Sequence, residues 1–239
     1  MSDKQIEAVV FDLDGVITDT AKFHFLAWQR LANELDIVID EEFNERLKGV
    51  NRMDSLELIL IKGNRQYDFS LSEKEAMAEN KNAHYCEFLK TLTPRDILPN
   101  MRELIAEIKA EEIKIGLASV SRNADTVLKA LQLEEVFDYC ADASKIKKSK
   151  PNPEIFLTAC KGLGANPARA IGIEDAQAGI TAIKASGMFA VGVGSTLENA
   201  DYRLHSTAEL EWKKVKTAFL KEMKNVDFSF NRRKIEEHL

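Results

Sequence analysis

The sequence has few cysteines, no internal repeat, no long apolar run and no excess of positive charge. Its three cysteines, Cys86, Cys140 and Cys160, are odd in number and form no Cys-x-x-Cys pair, which argues against disulfides and zinc sites. The apolar run in MSDKQIEAVVFD is too short for a signal peptide or a membrane span. We therefore expect a cytoplasmic protein with reduced thiols.

Positive charge is in the minority. The chain has 39 Asp and Glu against 33 Lys and Arg, a net charge of -6 and a pI of about 5.4. An acidic chain is poorly suited to nucleic acid or an anionic membrane, so we expect neither as a partner. Nothing indicates a protein partner, and a monomer is expected. The lysines and arginines present still suffice for a local anion site.

The 239 residues are 45% hydrophobic and 30% charged, which indicates a globular protein with a substantial core. Short apolar runs rich in Val and Ile predict strands at Ala8–Asp12, Lys114–Ser119, Tyr139–Ala141, Ala170–Ile173 and Phe189–Val193. Between them, helices are predicted at Met101–Glu111, Ala124–Leu131, Pro153–Leu163 and Ala176–Ser186. This alternation predicts an α/β fold, a Rossmann-like parallel sheet with helices on both faces.

Residues 21–92 interrupt the alternation, because apolar residues there fall at helical spacing and no strand is apparent. We therefore predict a helical cap domain at 21–92, inserted into a core domain made of 1–20 and 93–239. The linkers TDTA and TLTPRD would lie side by side, so that the cap can move as a rigid lid. The C-terminal NVDFSFNRRKIEEHL carries no motif and is assigned no role.

The stretch AVVFDLDGVITDT ends a buried strand with two aspartates, Asp12 and Asp14. Polar residues also follow the later strands: Ser119, Lys150, and the pair Glu174 and Asp175. Ligands of an open parallel sheet bind beyond the carboxyl ends of its strands. We therefore expect these side chains to meet at one edge of the sheet.

Carboxylates gathered in this way repel one another unless a cation joins them, and an all-oxygen ligand set suits Mg²⁺. One ionised carboxylate could then attack phosphorus, while Ser119 and Lys150 hold the phosphoryl oxygens. Asp14 lies two residues beyond Asp12, on the same side if the strand continues, and could transfer a proton. Gly15 would let the backbone leave the strand at an angle that other residues resist.

Each motif also has an ordinary structural interpretation. DLDG is typical of an Asp-Gly turn or of a metal-binding Asp-x-Asp in nucleotide-sugar enzymes, and Ser119 of a turn or helix cap. Lys150 lies in a lysine-rich run that solvent could surround, and Glu174-Asp175 could simply complement a helix dipole. The structural interpretations together would require four independent coincidences in the right order.

The ordered set VVFDLDGVITDT, LASVS, SKPNP and GIEDAQAG resembles the four motifs of the haloacid dehalogenase superfamily of phosphotransferases, and the resemblance extends from about Ile6 to Gly194. It implies that Asp12 is the phosphorylated nucleophile and Asp14 the acid and base. It also implies one Mg²⁺ held by Asp12, the main-chain oxygen of Asp14, Glu174 and Asp175. The superfamily's true dehalogenases lack the second aspartate, so Asp14 argues against dehalogenation.

Within the cap, DTAKFHFLAWQRLA and FNERLKGVNRMDSL resemble the β-phosphoglucomutases. That resemblance implies interconversion of β-glucose 1-phosphate and glucose 6-phosphate, with glucose 1,6-bisphosphate as priming intermediate. It implies that His24 aligns the sugar with Asp14. Residues implied to bind the sugar phosphate are Lys48, Gly49, Val50, Arg52, Ser55, Lys81, Ser121, Arg122 and Asn123. Arg122 departs from the lysine expected at its position.

Other functions remain open at this stage. A sugar-phosphate phosphatase with the same core would release phosphate steadily and need little priming. A mutase acting on another hexose or on a disaccharide-derived phosphate would share every motif. A binding or regulatory protein could keep the fold without the activity, and it would be unaffected by Asp12→Asn.

Closure of the cap could favour sugar over water as acceptor by bringing Asp14 into place only when sugar is bound.

Overall fold

A single parallel β-sheet forms the centre of the molecule. The computed structural model describes residues 6–236, with side chains described through residue 224. Six strands lie in the order β3-β2-β1-β4-β5-β6, and every pair is parallel. The strands are β1 Ala8–Phe11, β2 Lys114–Leu117, β3 Tyr139–Cys140, β4 Ala170–Glu174, β5 Phe189–Val193 and β6 Tyr202–Leu204. The predicted α/β sheet is confirmed.

The strands differ in detail from the sequence prediction. β1, β2 and β3 end one or two residues earlier than predicted. The edge strand β6 was missed, since three residues with only one fully buried side chain carry too short an apolar pattern to detect. It pairs with β5 and extends the sheet by one strand.

Helices cover both faces of the sheet. Val9 and Phe11 of β1 pack in one apolar cluster with residues of α5, α6 and α9, while Ala8 and Val10 pack in a second cluster with α7 and α8. This period of two is the reason that β1 is apolar throughout: both faces are buried. The helices are α5 Met101–Ala110, α6 Ala124–Ala130, α7 Glu154–Leu163, α8 Gln177–Ser186 and α9 Trp212–Glu236.

The segment between β1 and α5 contains helices and no described strand: α1 Ala21–Glu34, α2 Glu41–Glu45, α3 Arg52–Lys62 and α4 Leu71–Leu89. Side-chain caps begin three of them, at Asp40, Asn51 and Ser70. These helices share an apolar cluster of their own, centred on Trp28 and Leu56. We keep the name cap for residues 21–92, and the two-domain division stays a prediction.

The C-terminal segment does form regular structure, contrary to its treatment as an unassigned tail. Helix α9 begins at Trp212 and continues to Glu236, while residues 237–239 lie outside the described part of the chain. Its first turns pack Trp212, Val215 and Phe219 against the sheet. None of the described helices is long and apolar enough to cross a membrane. The three cysteines are free thiols.

Candidate active site

The carboxyl ends of β1, β2 and β4 bring the predicted core residues together. Asp12, Ser119 and Glu174 follow or end these strands, and all are buried, as is Lys150. The ammonium of Lys150 donates to Asp12 Oδ1 at 2.6 Å and to Glu174 Oε2 at 2.8 Å. Burial opposes the charge on Lys150, but the two carboxylates raise its pKa above the usual value.

Asp12, Glu174 and Asp175 form a carboxylate cluster that fits a divalent cation. One oxygen from each lies within 4.8 Å of the others. Burial and then the charge of Asp12 raise the pKa of both Glu174 and Asp175, because one buried lysine does not balance three carboxylates. A hard divalent ion with oxygen ligands would relieve this repulsion, which supports the predicted Mg²⁺ dependence. The main-chain oxygen of Asp14 stays a predicted fourth ligand.

Glycines allow this crowding. Gly15 has φ +80°, and a Cβ there would overlap the carboxylate of Asp175. A Cβ at Gly179, in the first turn of α8, would overlap the carboxyl group of Glu174. Gly15 therefore permits both the turn expected from the sequence and a close approach that the sequence did not reveal.

Asp14 lies on the cap side of the cluster. Its Oδ1 is buried without a hydrogen-bond partner in the described structure, and its Oδ2 lies 3.9 Å from Nε2 of His24. Burial and then the charge of Asp12 raise the pKa of Asp14 to about 8. A carboxyl group that holds a proton near neutral pH can donate it to a leaving oxygen and take it back, which is the predicted role.

Cap residues hold His24 in place. The imidazole stacks on Tyr85 with ring centroids 3.9 Å apart, and its Nδ1 lies 2.9 Å from Nζ of Lys81. Lys81 is buried and lies over the ring of Trp28. Burial, followed by the charge of Arg52, lowers the pKa of Lys81 to about 7. Burial and Lys81 also lower the pKa of His24, so a neutral imidazole faces Asp14.

A cavity of about 580 Å³ lies between cap and core. Most of the predicted site residues line it: Asp12, Asp14, His24, Lys48, Gly49, Val50, Arg52, Ser55, Lys81, Ser121, Arg122, Asn123 and Asp175. Ser119, Lys150 and Glu174 do not line it, because they are buried behind Asp12. Ser119 Oγ accepts from the backbone of Ser121, so it also supports the loop beside the cavity.

Two predicted site residues of the cap, Ser55 and Lys48, make contacts that fix the position of the loop at 48–50. Ser55 is buried and donates to the carbonyl of Val50 at 3.4 Å. Lys48 lies 3.0 Å from Glu45 and 3.6 Å from Asp175 in the core. Lys48 therefore connects the cap directly to the carboxylate cluster.

The sequence did not reveal several polar contacts at the cavity. Arg52 pairs with Glu79, and Asn123 donates to Asn82 of the cap. Ser149, next to Lys150, accepts from the backbone and side chain of Asn51 and donates to Asp54. Neither Glu79 nor Asn82 lies at helical spacing from Lys81 on α4, and nothing local marks Ser149, so the sequence carried no signal for these contacts.

This constellation of a buried strand-end aspartate, a lysine and two further carboxylates on a parallel sheet defines a class of phosphotransferases. The family model described as haloacid dehalogenase-like hydrolase matches residues 6–187. The chain belongs to the haloacid dehalogenase-like hydrolase family, as predicted.

Within that family, the chain is similar to β-phosphoglucomutases and to a phosphatase of phosphorylated carbohydrates. The chain is 48% identical over 207 residues to β-phosphoglucomutase of Bacillus subtilis, covering 86% of this chain and 92% of the relative. The crystal structure of a β-phosphoglucomutase from Clostridium difficile matches with a TM-score of 0.90 and 48% identity, covering 92% of this chain and 99% of that one. A phosphorylated carbohydrates phosphatase of Thermotoga maritima is 32% identical, over 77% of this chain and 82% of the relative. The predicted resemblance to β-phosphoglucomutase is confirmed.

Proposed function

We propose that the chain is a magnesium-dependent mutase that interconverts β-D-glucose 1-phosphate and glucose 6-phosphate. The observation that carries the proposal is the composition of the cavity. One part holds Asp12 and Asp14, with Lys150 behind them, and another holds the guanidinium groups of Arg52 and Arg122. A bisphosphate needs two phosphate sites at once, one at the carboxylate cluster when Mg²⁺ is bound there and one at the guanidinium groups, whereas a phosphatase needs only the first.

In the proposed reaction the carboxylate of Asp12 attacks one phosphorus atom of glucose 1,6-bisphosphate, and the sugar leaves as a glucose monophosphate. A bond forms between Asp12 and phosphorus as the bond to the sugar oxygen breaks, and Asp14 gives its proton to that oxygen. Lys150 and Ser119 stabilise the charge on the phosphoryl oxygens. When bound at Asp12, Glu174 and Asp175, Mg²⁺ would neutralise charge between these carboxylates and the phosphoryl group.

The other half of the cycle starts from phosphorylated Asp12 and β-D-glucose 1-phosphate. The free 6-hydroxyl of the sugar attacks phosphoaspartate and loses its proton to Asp14 while the bond between Asp12 and phosphorus breaks, so that glucose 1,6-bisphosphate forms and Asp12 is regenerated. Glucose 1,6-bisphosphate is the proposed intermediate, and a trace of it primes Asp12. It must turn round between the halves, so Arg52 and Arg122 bind each of its phosphates in alternation.

A sugar-phosphate phosphatase is the second candidate, because the Thermotoga maritima relative is a phosphorylated carbohydrates phosphatase. The same phosphoaspartate would then be hydrolysed by water. The cap argues for transfer, since Lys81, His24 and Trp28 enclose the side of Asp14 from which an acceptor approaches.

The test uses β-glucose 1-phosphate, Mg²⁺ and a trace of glucose 1,6-bisphosphate, with glucose 6-phosphate and free phosphate followed in the same tube. Rapid formation of glucose 6-phosphate with little free phosphate supports the mutase. Dominant free phosphate supports the phosphatase. Asp12→Asn should abolish either activity, and an unchanged rate in that variant would refute both.

We further infer that the enzyme acts as a cytoplasmic monomer on a small sugar phosphate. The support is the net charge of -6 and the absence of any indicated protein-binding motif in the sequence. Sedimentation of the purified chain tests the oligomeric state, and a stable dimer would contradict it.

A further inference from the structure

Arg52, the proposed ligand of the distal phosphate, already has an anionic partner. Its Nη1 lies 2.8 Å from Oε2 of Glu79, and both residues line the cavity. Arg52 begins α3 and Glu79 belongs to α4, so the pair joins two helices of the cap. The guanidinium side is largely enclosed, with 19% of the Arg52 side chain exposed, whereas 72% of the Glu79 side chain is exposed.

Glu79 lies in a region of positive charge. Arg122 and Lys81 are close enough to Arg52 for mutual repulsion, and Arg52 and Lys81 both act on His24. Asp54 also lines the cavity, but it is held by Asn51 and Ser149. Of the carboxylates described at the cavity, Glu79 is therefore the one in contact with the proposed phosphate-binding guanidinium.

A phosphate dianion that reaches Arg52 meets this carboxylate. Two anions beside one guanidinium repel each other, so bound phosphate and the Arg52–Glu79 pair oppose each other. Because Glu79 is exposed, its side chain can swing into solvent at little cost. The arrangement weakens the distal phosphate site without removing it.

We propose that Glu79 is a built-in competitor of phosphate at Arg52 and sets the affinity of the distal phosphate site. This inference rests on the proposed function, in which glucose 1,6-bisphosphate must release its distal phosphate in order to turn round. Glu79 takes the place of the phosphate at Arg52 as the bisphosphate leaves. It thereby keeps Arg52 oriented and prevents the distal site from holding the intermediate too tightly.

The test is a binding measurement by calorimetry on the Mg²⁺-loaded protein carrying Asp12→Asn, which removes turnover. The probes are glucose 6-phosphate and inorganic phosphate. We expect Glu79→Gln to tighten glucose 6-phosphate binding about two- to fivefold, the range that a mostly exposed ion pair allows. The matched control is Glu75→Gln, since Glu75 lies one turn earlier on α4, lines the same cavity and has the same charge.

A second pair of proteins isolates the role of Arg52. With Arg52→Ala present, Glu79→Gln should change the affinity for glucose 6-phosphate by less than about 1.5-fold, because the guanidinium group for which Glu79 and phosphate compete is then missing. Weaker binding in Glu79→Gln would overturn the proposal and make Glu79 a positioning residue for Arg52. Equal tightening in Glu79→Gln and Glu75→Gln, or tightening that persists without Arg52, would also overturn it by showing a general effect of charge.

The outcome does not depend on the mutase assay. Failure of the proposed function appears as missing glucose 6-phosphate in the wild-type protein, while binding of the two probes is measured without turnover. If glucose 6-phosphate does not bind at all, the part of inorganic phosphate binding that Arg52→Ala removes still reports the Glu79 effect, and no change of that part in Glu79→Gln then refutes the competition.

Discussion

The Oδ2 atom of Asp14 lies 3.9 Å from the Nε2 atom of His24, across the junction where the chain passes from β1 into the cap. Asp14 belongs to the loop after the strand, and His24 belongs to the first helix of the cap. The proposed proton donor and the residue that faces it thus lie on different sides of the junction. A motion of the cap relative to the core would change the distance between them, which is the arrangement that sugar-dependent gating requires.

His24→Ala should therefore slow transfer to sugar. We expect kcat to fall about tenfold or more, a smaller loss than the roughly 10²–10⁴-fold expected for Asp14→Asn, because His24 orients and Asp14 transfers the proton. Initial rates of glucose 6-phosphate formation give the measurement. His84→Ala is the matched control, since His84 lies on α4 but outside the cavity. Equal effects of the two histidine changes would contradict this role.

The stabilisation by Mg²⁺ should increase with pH. Glu174, Asp175 and Asp14 have raised pKa values in the metal-free fold, so between about pH 4 and pH 8 the folded state binds more protons than the unfolded state. Metal-free stability contributed by these groups thus falls as the pH rises. Mg²⁺ needs ionised carboxylates, so the difference in Tm with and without Mg²⁺ should grow over the same range.

Asp175→Asn is the control for this pH dependence. It removes one ligand of the cluster, so both the Mg²⁺ stabilisation and its increase with pH should shrink. Thermal melts with Mg²⁺ and with a chelator, across the pH range, give the result. A Tm difference that is independent of pH would show that these carboxyl groups do not titrate as described.

Ser149→Ala should weaken cap closure. The hydroxyl of Ser149 bonds to Asn51 and Asp54 of the cap, and Asn51 is the N-cap of the helix that begins with Arg52. We expect KM for β-glucose 1-phosphate to rise about three- to tenfold, since two to three modest hydrogen bonds are lost. The fraction of phosphate released to water should rise as well.

Ser144→Ala is the matched control, because Ser144 bonds only to Asp142 among the described contacts and does not reach the cap. Ser149→Thr keeps the hydroxyl and should restore most of the loss. If Ser149→Ala leaves both KM and the released phosphate unchanged, the Ser149 contacts do not hold the cap closed.

Gly179→Ala should disable the metal site without a change of charge. The new Cβ would overlap the carboxyl group of Glu174, which must then move away from Asp12 and Asp175. We expect at least about tenfold weaker Mg²⁺ binding, as for the loss of a supporting group around a metal. Titration of Tm with Mg²⁺ measures it, and Thr181→Ala, an exposed change on α8, is the control. Unchanged Mg²⁺ affinity would show that Glu174 is not needed for the metal.

Local sequence patterns predicted the positions of the site residues that lie at the ends of the strands. Asp12, Ser119 and Glu174 could be placed because each follows an apolar run, and parallel strands bring their carboxyl ends to one edge. β6 and the full length of α9 could not be predicted, since a strand of three residues with one buried side chain and a charged helix lack a clear apolar period.

Contacts between residues far apart in the chain could not be predicted from the sequence. Asn51 of the cap and Ser149 of the core are 98 residues apart, and within the cap Arg52 and Glu79 are 27 apart, so no local spacing connects either pair. Such pairs depend on how packed elements meet. The need for glycine at positions 15 and 179 could not be predicted either. A Cβ at Gly15 would overlap Asp175 of a distant segment, and a Cβ at Gly179 would overlap Glu174 at the end of the preceding strand.

The position of β1 in the sheet has a consequence for synthesis of the chain. Of the described strands, β1 leaves the ribosome first, yet its neighbours begin only at Lys114 and Ala170. At about 5–20 residues per second, its backbone groups wait seconds to tens of seconds for their hydrogen-bond partners. The helices of the cap are complete in the meantime and can pack locally. Co-translational folding should therefore begin in the insert, and nascent chains that end before Lys114 should depend on chaperones to protect AVVF.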